Sequence, residues 1–351
     1  MTSMPLIFLS IFLHLVILIH SSPLAPALYV LGDSLFDSGN NNILPTLAKA
    51  DYLPYGVNFV KAEFLGLPYS PPYMSIWRST PVTGFNYASG SCGILPETGD
   101  LFVRTHCALF FVSSSLFSSL IDLFQRTVQS DLPMHFKSSY DLSEYLSKSI
   151  FILSIGSNDY IINYLQPNLY NTSKHYPPQP FAQQGFTYFF MNSQRLYSLG
   201  VRKIVMFEIG PIGCIPSITR KVRNKHNGQC VEEINQIVSL FNEGLPALLK
   251  NLTSTLQGST FVLGQANFLG YDAIKHPSKY GLTDSETPCC TTWENGTSGC
   301  IPLLSPCPHA YQHFFWDAFH LTETVYSVVA TRCFNDASFC SPFNIKQLIQ
   351  L

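Results

Sequence analysis

A serine and a histidine–aspartate pair stand at opposite ends of the sequence. Ser34 follows a short apolar run in Gly32-Asp33-Ser34, whereas Asp317 and His320 lie three residues apart near the other end. A serine hydroxyl attacks a carbonyl poorly unless a base removes its proton and a third group orients that base. An aspartate this close to a histidine can fix the imidazole tautomer and stabilise the imidazolium. These residue types therefore predict a nucleophilic serine with a general base, provided that folding joins the two ends.

Each of these two segments also has an ordinary structural explanation. Gly-Asp-Ser is common turn chemistry, and Asp317 could be the N-cap of a helix that begins near Ala318. The sequence also lacks the Gly-x-Ser-x-Gly turn that carries the nucleophile of α/β-hydrolases. Neither segment alone shows whether its residues form an ordinary structural feature or part of a catalytic site.

Two further segments offer hydrogen-bond donors for the anion that forms when an ester carbonyl is attacked. Asn158 follows a buried apolar run, and Gly93 ends a run of small residues that begins at Ser89. Each donor aimed at such an oxyanion is worth about 2.7–4 kcal/mol. We therefore predict that Asn158 and Gly93 form an oxyanion hole; an Asx-turn and a loop glycine are the alternatives.

The elements that must position these residues are short apolar runs separated by helix-compatible segments. The runs cover residues 27–31, 84–88, 149–155, 203–209 and 260–264. Because they are apolar without alternation, they predict a parallel sheet that helices cover on both faces, with ligands bound beyond the carboxyl ends of the strands. Helices are predicted at residues 116–130, 194–199 and 231–256. We expect a single domain over residues 26–345.

The order of the motif blocks resembles the plant-type GDSL esterase/lipase family of SGNH hydrolases. The blocks are Gly-Asp-Ser-Leu-Phe-Asp-Ser-Gly-Asn, Asn-Tyr-Ala-Ser-Gly, Gly-Ser-Asn-Asp-Tyr and Trp-Asp-Ala-Phe-His-Leu-Thr. The resemblance implies a flavodoxin-like, three-layer α/β/α fold with about five strands, and hydrolysis of acyl esters through an acyl-enzyme, without cofactor or metal. It makes Ser34 the nucleophile, His320 the general base and then acid, and Asp317 its orienting partner. The Ser34 N–H, Gly93 (with Gly90 as the alternative) and the Asn158 side chain would form the oxyanion hole.

The amino-terminal segment predicts secretion. Residues 5–19 are apolar and small residues follow them, a pattern typical of a signal peptide, which we place at residues 1–25. The alternative is a retained membrane anchor, although the run is short for a span of about 20 residues. We expect an extracellular protein with no stable membrane span after cleavage.

Secretion gives the ten cysteines and three Asn-x-Ser/Thr triplets a meaning. Cys289, Cys290, Cys300 and Cys307 crowd into one stretch whose spacing favours disulfides over zinc, with the connectivity left open. Asn171, Asn251 and Asn295 are predicted glycan sites on exposed loops. The formal charge of −2, without a basic cluster, argues against nucleic acid. A small-molecule or lipid ester is the expected partner.

Three segments depart from the family pattern. Residues 57–63 are shorter than expected, and residues 102–119 and 184–193 interrupt expected helices with apolar sequence that lacks an amphipathic stripe. We interpret them as the result of a skipped exon and retained intron sequence. The rival to the esterase prediction is therefore a catalytically impaired relative that acts as an extracellular binding module.

Overall fold

The computed structural model describes residues 23–43, 49, 53, 55, 62–75, 81–99, 116–222 and 230–351. The apolar run of the predicted signal peptide lies outside these residues. So do residues 57–61 and 102–115, which hold most of two of the departing segments.

A mostly parallel sheet forms the centre of the fold, as predicted. Its strands are β1 (Leu28–Gly32), β2 (Ile150–Ser154), β3 (Lys203–Phe207), β4 (Thr260–Gly264) and the two-residue β5 (Cys340–Ser341). They lie side by side in the order β1-β2-β3-β4-β5, and β5 alone is antiparallel to its neighbour. Four of the predicted runs therefore became strands, whereas β5 was not predicted.

The predicted strand at residues 84–88 is not a regular strand. It runs along the free edge of β1, where the N–H of Val30 donates to Phe85 O at 3.0 Å and the N–H of Tyr87 donates to Val30 O at 2.8 Å. Gly84 has φ +104°, and a Cβ there would lie 2.0 Å from Leu28 O. The close approach at this glycine breaks the regular ladder, leaving a single bridge between Val30 and Asn86. Counting this run, the order matches the flavodoxin-like arrangement 2-1-3-4-5.

Helices pack on both faces of the sheet. They are α1 (Leu116–Arg126), α2 (Ser139–Lys148), α3 (Thr172–His175), α4 (Pro178–Ser198), α5 (Pro216–Val222), α6 (Glu232–Thr255), α7 (Ala266–Lys275), α8 (Glu323–Asn335) and α9 (Ile345–Leu348). Helix α1 continues into a π-helical turn, Thr127–Asp131. The helices predicted at 116–130 and 231–256 are therefore confirmed. Within the described ranges, no helix is both long and apolar enough to cross a membrane.

Helix α4 corrects the prediction for residues 184–193. The helix is continuous over 21 residues, and it buries a stripe that includes Phe181, Gly185, Phe189 and Leu196. A Cβ at Gly185 would lie 3.1 Å from the Phe241 ring on α6, so the glycine lets the two helices pack closely. The segment therefore has the stripe that the sequence analysis failed to recognise.

The alternation of side chains along the strands separates two apolar cores. Tyr29, Phe151, Ile204 and Phe261 face α1, α4 and α6; we call this side the α6 face. Val30, Ile152, Val205 and Val262 face α7, α8 and α9; we call this side the α8 face. The result is the predicted three-layer α/β/α architecture.

Disulfides join elements on the carboxyl half of the chain. The pairs are Cys214–Cys230, Cys289–Cys307, Cys290–Cys300 and Cys333–Cys340. Cys92 is buried and belongs to none of these four pairs, and Cys107 lies outside the described residues. The crowded stretch at 289–307 is therefore held by two disulfides, as expected from its composition.

Candidate active site

Ser34 lies in a turn at the carboxyl end of β1. A Cβ at Gly32 would approach Ser154 O to 2.3 Å, so only glycine lets β1 end this close to β2. The Asp33 carboxylate then accepts a hydrogen bond from the N–H of Leu35 at 3.0 Å, and the Phe36 N–H closes the turn on Asp33 O at 3.2 Å. This turn places Ser34 on the wall of a cavity.

Buried side chains fix this turn to the segment beside it. Asp37 Oδ1 accepts the N–H groups of Gly39 and Asn40 at 2.9 and 2.8 Å, while its Oδ2 accepts the Gly90 N–H at 3.1 Å. The Asn40 amide donates to the backbone oxygens of Asn86 and Ala88 at 2.9 and 2.8 Å. The first two motif blocks are therefore one hydrogen-bonded unit.

Asp317 and His320 share a tight turn before α8. Asp317 Oδ1 accepts the backbone N–H groups of Phe319 and His320, each at 2.7 Å, and the Trp316 N–H donates to His320 O at 2.8 Å. Helix α8 begins only at Glu323, with Thr322 before it. The alternative that Asp317 caps a helix beginning near Ala318 is therefore wrong; the carboxylate caps a turn.

Folding brings the two ends of the sequence together. His320 Nδ1 lies 2.8 Å from Asp317 Oδ2, and His320 Nε2 lies 2.8 Å from Ser34 Oγ. With the Nδ1 proton donated to the carboxylate, Nε2 is left to accept the serine hydroxyl. A hydroxyl, an imidazole and a carboxylate in this order can generate a nucleophilic oxygen at neutral pH.

We call the hydrogen-bonded series Ser34–His320–Asp317 the relay. The charges around it favour protonation of the imidazole. Burial opposes ionisation of Asp317, but the charge of His320 and the hydrogen bonds to the carboxylate hold its pKa below the usual value. Burial also opposes the imidazolium, yet the charge and hydrogen bond of Asp317, helped by Asp33 and Asp37, raise the pKa of His320. Burial raises the pKa of Asp33 to about 7.

The two predicted oxyanion donors differ in position. The Asn158 side chain lines the cavity and donates one amide proton to Cys92 O at 2.9 Å, which leaves its second proton for a ligand. Gly93 instead faces Thr98 and Asp159, where a Cβ would lie 2.3 Å from Thr98 Cγ2. Gly90, the alternative, lines the cavity. Of these two glycines, Gly90 is the one at the cavity wall, and its N–H is already engaged by Asp37.

Tyr55 is a site residue that the sequence analysis missed. Its hydroxyl donates to Asp317 Oδ2, the oxygen that also holds His320 Nδ1. A lone tyrosine outside the chemical motif blocks gives no pattern that could have revealed this contact.

A cavity of about 510 Å³ opens at the relay and extends over the α8 face. Ser34, His320 and Asn158 lie in its wall. Its more distant wall is mainly apolar and includes Leu28, Phe36, Phe207, Val329, Phe334 and Ile345. The volume is within the range of about 300–1,000 Å³ that is typical of small-molecule sites.

The three predicted glycan sites are all exposed. Asn171 is the N-cap residue of α3 and Asn295 lies in a turn, whereas Asn251 lies within α6 rather than on a loop as expected.

Ser34, His320 and Asp317 therefore meet at the strand ends of a mostly parallel sheet, an arrangement that can do nucleophilic chemistry. Comparison with known proteins identifies the family to which the chain belongs. A family model for GDSL-like lipase/acylhydrolase matches residues 28–333.

Named relatives support the same assignment. GDSL esterase/lipase 7 of Arabidopsis thaliana is 40% identical over 348 residues, covering 94% of this chain and 93% of that protein. GDSL esterase/lipase At1g71691 of the same plant is 36% identical, covering 93% of this chain and 86% of that protein. The chain belongs to the GDSL lipase/acylhydrolase family and is a hydrolase acting on ester bonds.

Proposed function

We propose that this protein is a secreted serine esterase that hydrolyses carboxylic esters of apolar acyl groups through Ser34, His320 and Asp317. The observation that carries the proposal is the unbroken relay from Ser34 Oγ through both ring nitrogens of His320 to Asp317, with each link at 2.8 Å.

The reaction has two halves. In the first, Ser34 Oγ attacks the ester carbonyl while His320 Nε2 takes the hydroxyl proton, and the imidazolium then protonates the departing alcohol, leaving an acyl-Ser34 ester. In the second, His320 takes a proton from water, which attacks the acyl-enzyme. The imidazolium returns that proton to Ser34 Oγ as the carboxylic acid leaves.

The oxyanion of both halves lies against donors near Ser34. We assign the backbone N–H of Ser34 and the second amide proton of Asn158 to this role; Gly90 lines the same wall, but Asp37 Oδ2 accepts its N–H. Support comes from the position of Ser34 and Asn158 in the cavity wall. Gly93, the other candidate, acts indirectly by letting its turn pack against Thr98 and Asp159.

The cavity over the α8 face suits the acyl chain of the ester. It begins at Ser34 and continues past Val329 to Phe334 and Ile345, so an acyl carbon chain would leave water as it enters. Burial of each methylene is worth about 0.8 kcal/mol. The substrate class is therefore an ester whose acyl part is a hydrocarbon chain.

Labelling with a fluorophosphonate probe tests the proposal. The wild type should be modified on Ser34, and Ser34→Ala should abolish the modification. Ser147→Ala is a matched control, since Ser147 lies on α2 outside the cavity wall and its hydroxyl donates to Glu144 O at 2.8 Å. Labelling that persists in Ser34→Ala, or a folded wild type that is not labelled, would reject the proposal; the second result favours the binding-module alternative.

Secretion is supported by the disulfides, which persist in oxidising compartments. Expression of the full chain in eukaryotic cells should release a protein whose first residue lies near position 26, the start of the proposed domain at 26–345. Protein that stays in the membrane with residues 1–25 attached would contradict this part.

A further inference from the structure

Tyr55 is held at the rear of the histidine–aspartate pair by contacts on two sides. Its hydroxyl donates to Asp317 Oδ2 and accepts the backbone N–H of Cys300 at 2.8 Å. Its ring lies 6.4 Å from the His320 ring at an interplanar angle of 88°. The phenol is therefore oriented as a donor to Asp317, because its oxygen already accepts a proton from Cys300.

The disulfide-linked stretch at 289–307 provides the rear support for Tyr55. Tyr55 packs against a buried cluster that contains Cys290, Cys300 and Trp316, and Cys290 pairs with Cys300. The chain is also held two residues before Tyr55, where the N–H of Leu303 donates to Leu53 O at 3.0 Å. A Cβ at Gly299 would lie 3.1 Å from the Tyr55 hydroxyl, so the position of this hydroxyl is confined.

The Asp317 carboxylate is fully buried, and its two oxygens do different work. Oδ1 accepts two backbone N–H groups, which orient the carboxylate. Oδ2 is shared between Tyr55 and His320. A second donor on Oδ2 withdraws part of the charge that would otherwise act on the imidazolium.

We propose that Tyr55 is a positioning residue that keeps Asp317 ionised and sets the basicity of His320 through their shared oxygen. This inference rests on the proposed function for its activity readout. The other groups that act on His320 are Asp33 and Asp37, while Tyr326 lies near Asp33 and Asp317. None of these three groups donates to Asp317 Oδ2 among the hydrogen bonds of the described residues. Replacement of Tyr55 therefore tests the hydrogen bonding of that oxygen separately from the other charges.

Replacement of Tyr55 by Phe removes the donor and retains the ring. The full negative charge of Oδ2 then acts on the imidazolium, so the acid limb of kcat/KM should move to higher pH by about half a unit. The kcat plateau should fall up to about tenfold, as expected for loss of one charge-assisted hydrogen bond, with KM unchanged. A purely structural role would loosen the Asp317–His320 contact and move the limb to lower pH or leave it in place.

Tyr271→Phe is the matched control. Tyr271 also donates its hydroxyl to a carboxylate, that of Glu232, but outside the cavity wall. This variant should keep the wild-type pH profile. A fluorinated tyrosine at position 55, which is a stronger donor, should move the acid limb to lower pH, and it tests the inference even if Tyr55→Phe folds poorly.

Titration of the His320 imidazole by NMR separates this inference from the proposed function. It needs no turnover, so it decides the role of Tyr55 whether or not Ser34 proves to be a nucleophile. The inference predicts a higher imidazole pKa in Tyr55→Phe than in the wild type and Tyr271→Phe. An equal or lower pKa in Tyr55→Phe would overturn it.

Discussion

The two faces of the sheet are built from side chains of different size. On the α6 face, Tyr29 stacks on Phe151 with ring centroids 4.9 Å apart, and Phe124 meets each ring edge-on at 5.3 Å. On the α8 face, the neighbouring strand positions are Val30 and Ile152, which border the cavity. At these positions of β1 and β2, aromatic rings fill one layer, whereas shorter aliphatic side chains leave space in the other.

This difference separates stability from binding. The α6 face holds the larger core, so most of the free energy of burial comes from that side. On the α8 face, side chains are less closely packed, and the space between them leaves room for a ligand. The relay of Ser34, His320 and Asp317 lies at the strand ends where that space opens.

The largest expected effect compares adjacent residues of β2. Phe151→Ala removes a fully buried ring from the α6 face and should reduce the free energy of unfolding by about 3–5 kcal/mol. Ile152→Ala enlarges a cavity that already exists and should cost about 2 kcal/mol, the low end of the range for this substitution. Denaturant unfolding with disulfides intact measures both. An equal or larger loss for Ile152→Ala would break the comparison between the faces.

The next effect concerns Asp33, a buried carboxyl in the cavity wall. Its Oδ2 has no hydrogen-bond partner within the part of the chain that the structure describes, and burial raises its pKa to about 7. The folded state therefore binds a proton that the unfolded state loses near pH 4, so this contribution to stability is lost as pH rises from about 4 to 7.

Asp33→Asn should remove that pH dependence. Its free energy of unfolding relative to the wild type should increase by a few kcal/mol between pH 4 and pH 8, at about 1.4 kcal/mol per pKa unit. Thermal or denaturant unfolding across this range is the measurement. A constant difference between the two proteins would show that Asp33 titrates normally.

The third effect tests the cavity as the acyl site. Across p-nitrophenyl esters of increasing length, kcat/KM should rise by up to about fourfold per methylene, the equivalent of about 0.8 kcal/mol, until the chain fills the cavity. Ala330→Phe, on α8, should remove this gain while hydrolysis of the acetyl ester stays near the wild-type rate. If the variant keeps the preference for long chains, the acyl group binds elsewhere.

The smallest expected effect is on the pH dependence of activity, which is set by the groups at the strand ends. Asp317 raises the pKa of His320 against the opposing effect of burial, and only the neutral imidazole can accept the Ser34 proton. Activity should therefore rise with pH through a limb above about 6.5, the ordinary value for histidine. A pH–rate profile of kcat/KM locates the limb, and a midpoint below that value would contradict the electrostatic description.

Most of the sheet could be predicted because its strands are apolar on both faces. The runs at β1 to β4 contain no alternation, so their burial was evident from residue type. The run at 84–88 has the same appearance, but the positive φ of Gly84 and its close approach to Leu28 depend on three-dimensional packing. The two residues of β5 are too few to form a pattern.

The missed part of α4 shows how packing overrides composition. Gly185 weakens a helix in isolation, yet here it brings Phe241 of α6 into contact, and that contact is invisible in a single sequence. The hypothesis of altered splicing now rests on residues 57–63 and 102–119, and the sequence of the cDNA tests it.

The site residues that lie in long motifs could be predicted from the sequence, and those outside such motifs could not. Ser34, Asn158, Asp317 and His320 lie in recognisable blocks, and the structure brings all four to one cavity. The choice between Gly90 and Gly93 depends on the direction of a turn, which the small-residue run does not specify. Tyr55 depends on a contact across 262 residues and on the disulfide-linked stretch behind it.

The most direct test is a crystal structure of the protein after reaction with a long-chain alkyl fluorophosphonate. We expect Ser34 Oγ to displace fluoride and bond to phosphorus, with the alkyl chain lying over the α8 face, between Val30 and Val329. An adduct on another residue, or a chain that leaves the cavity for solvent, would contradict this expectation.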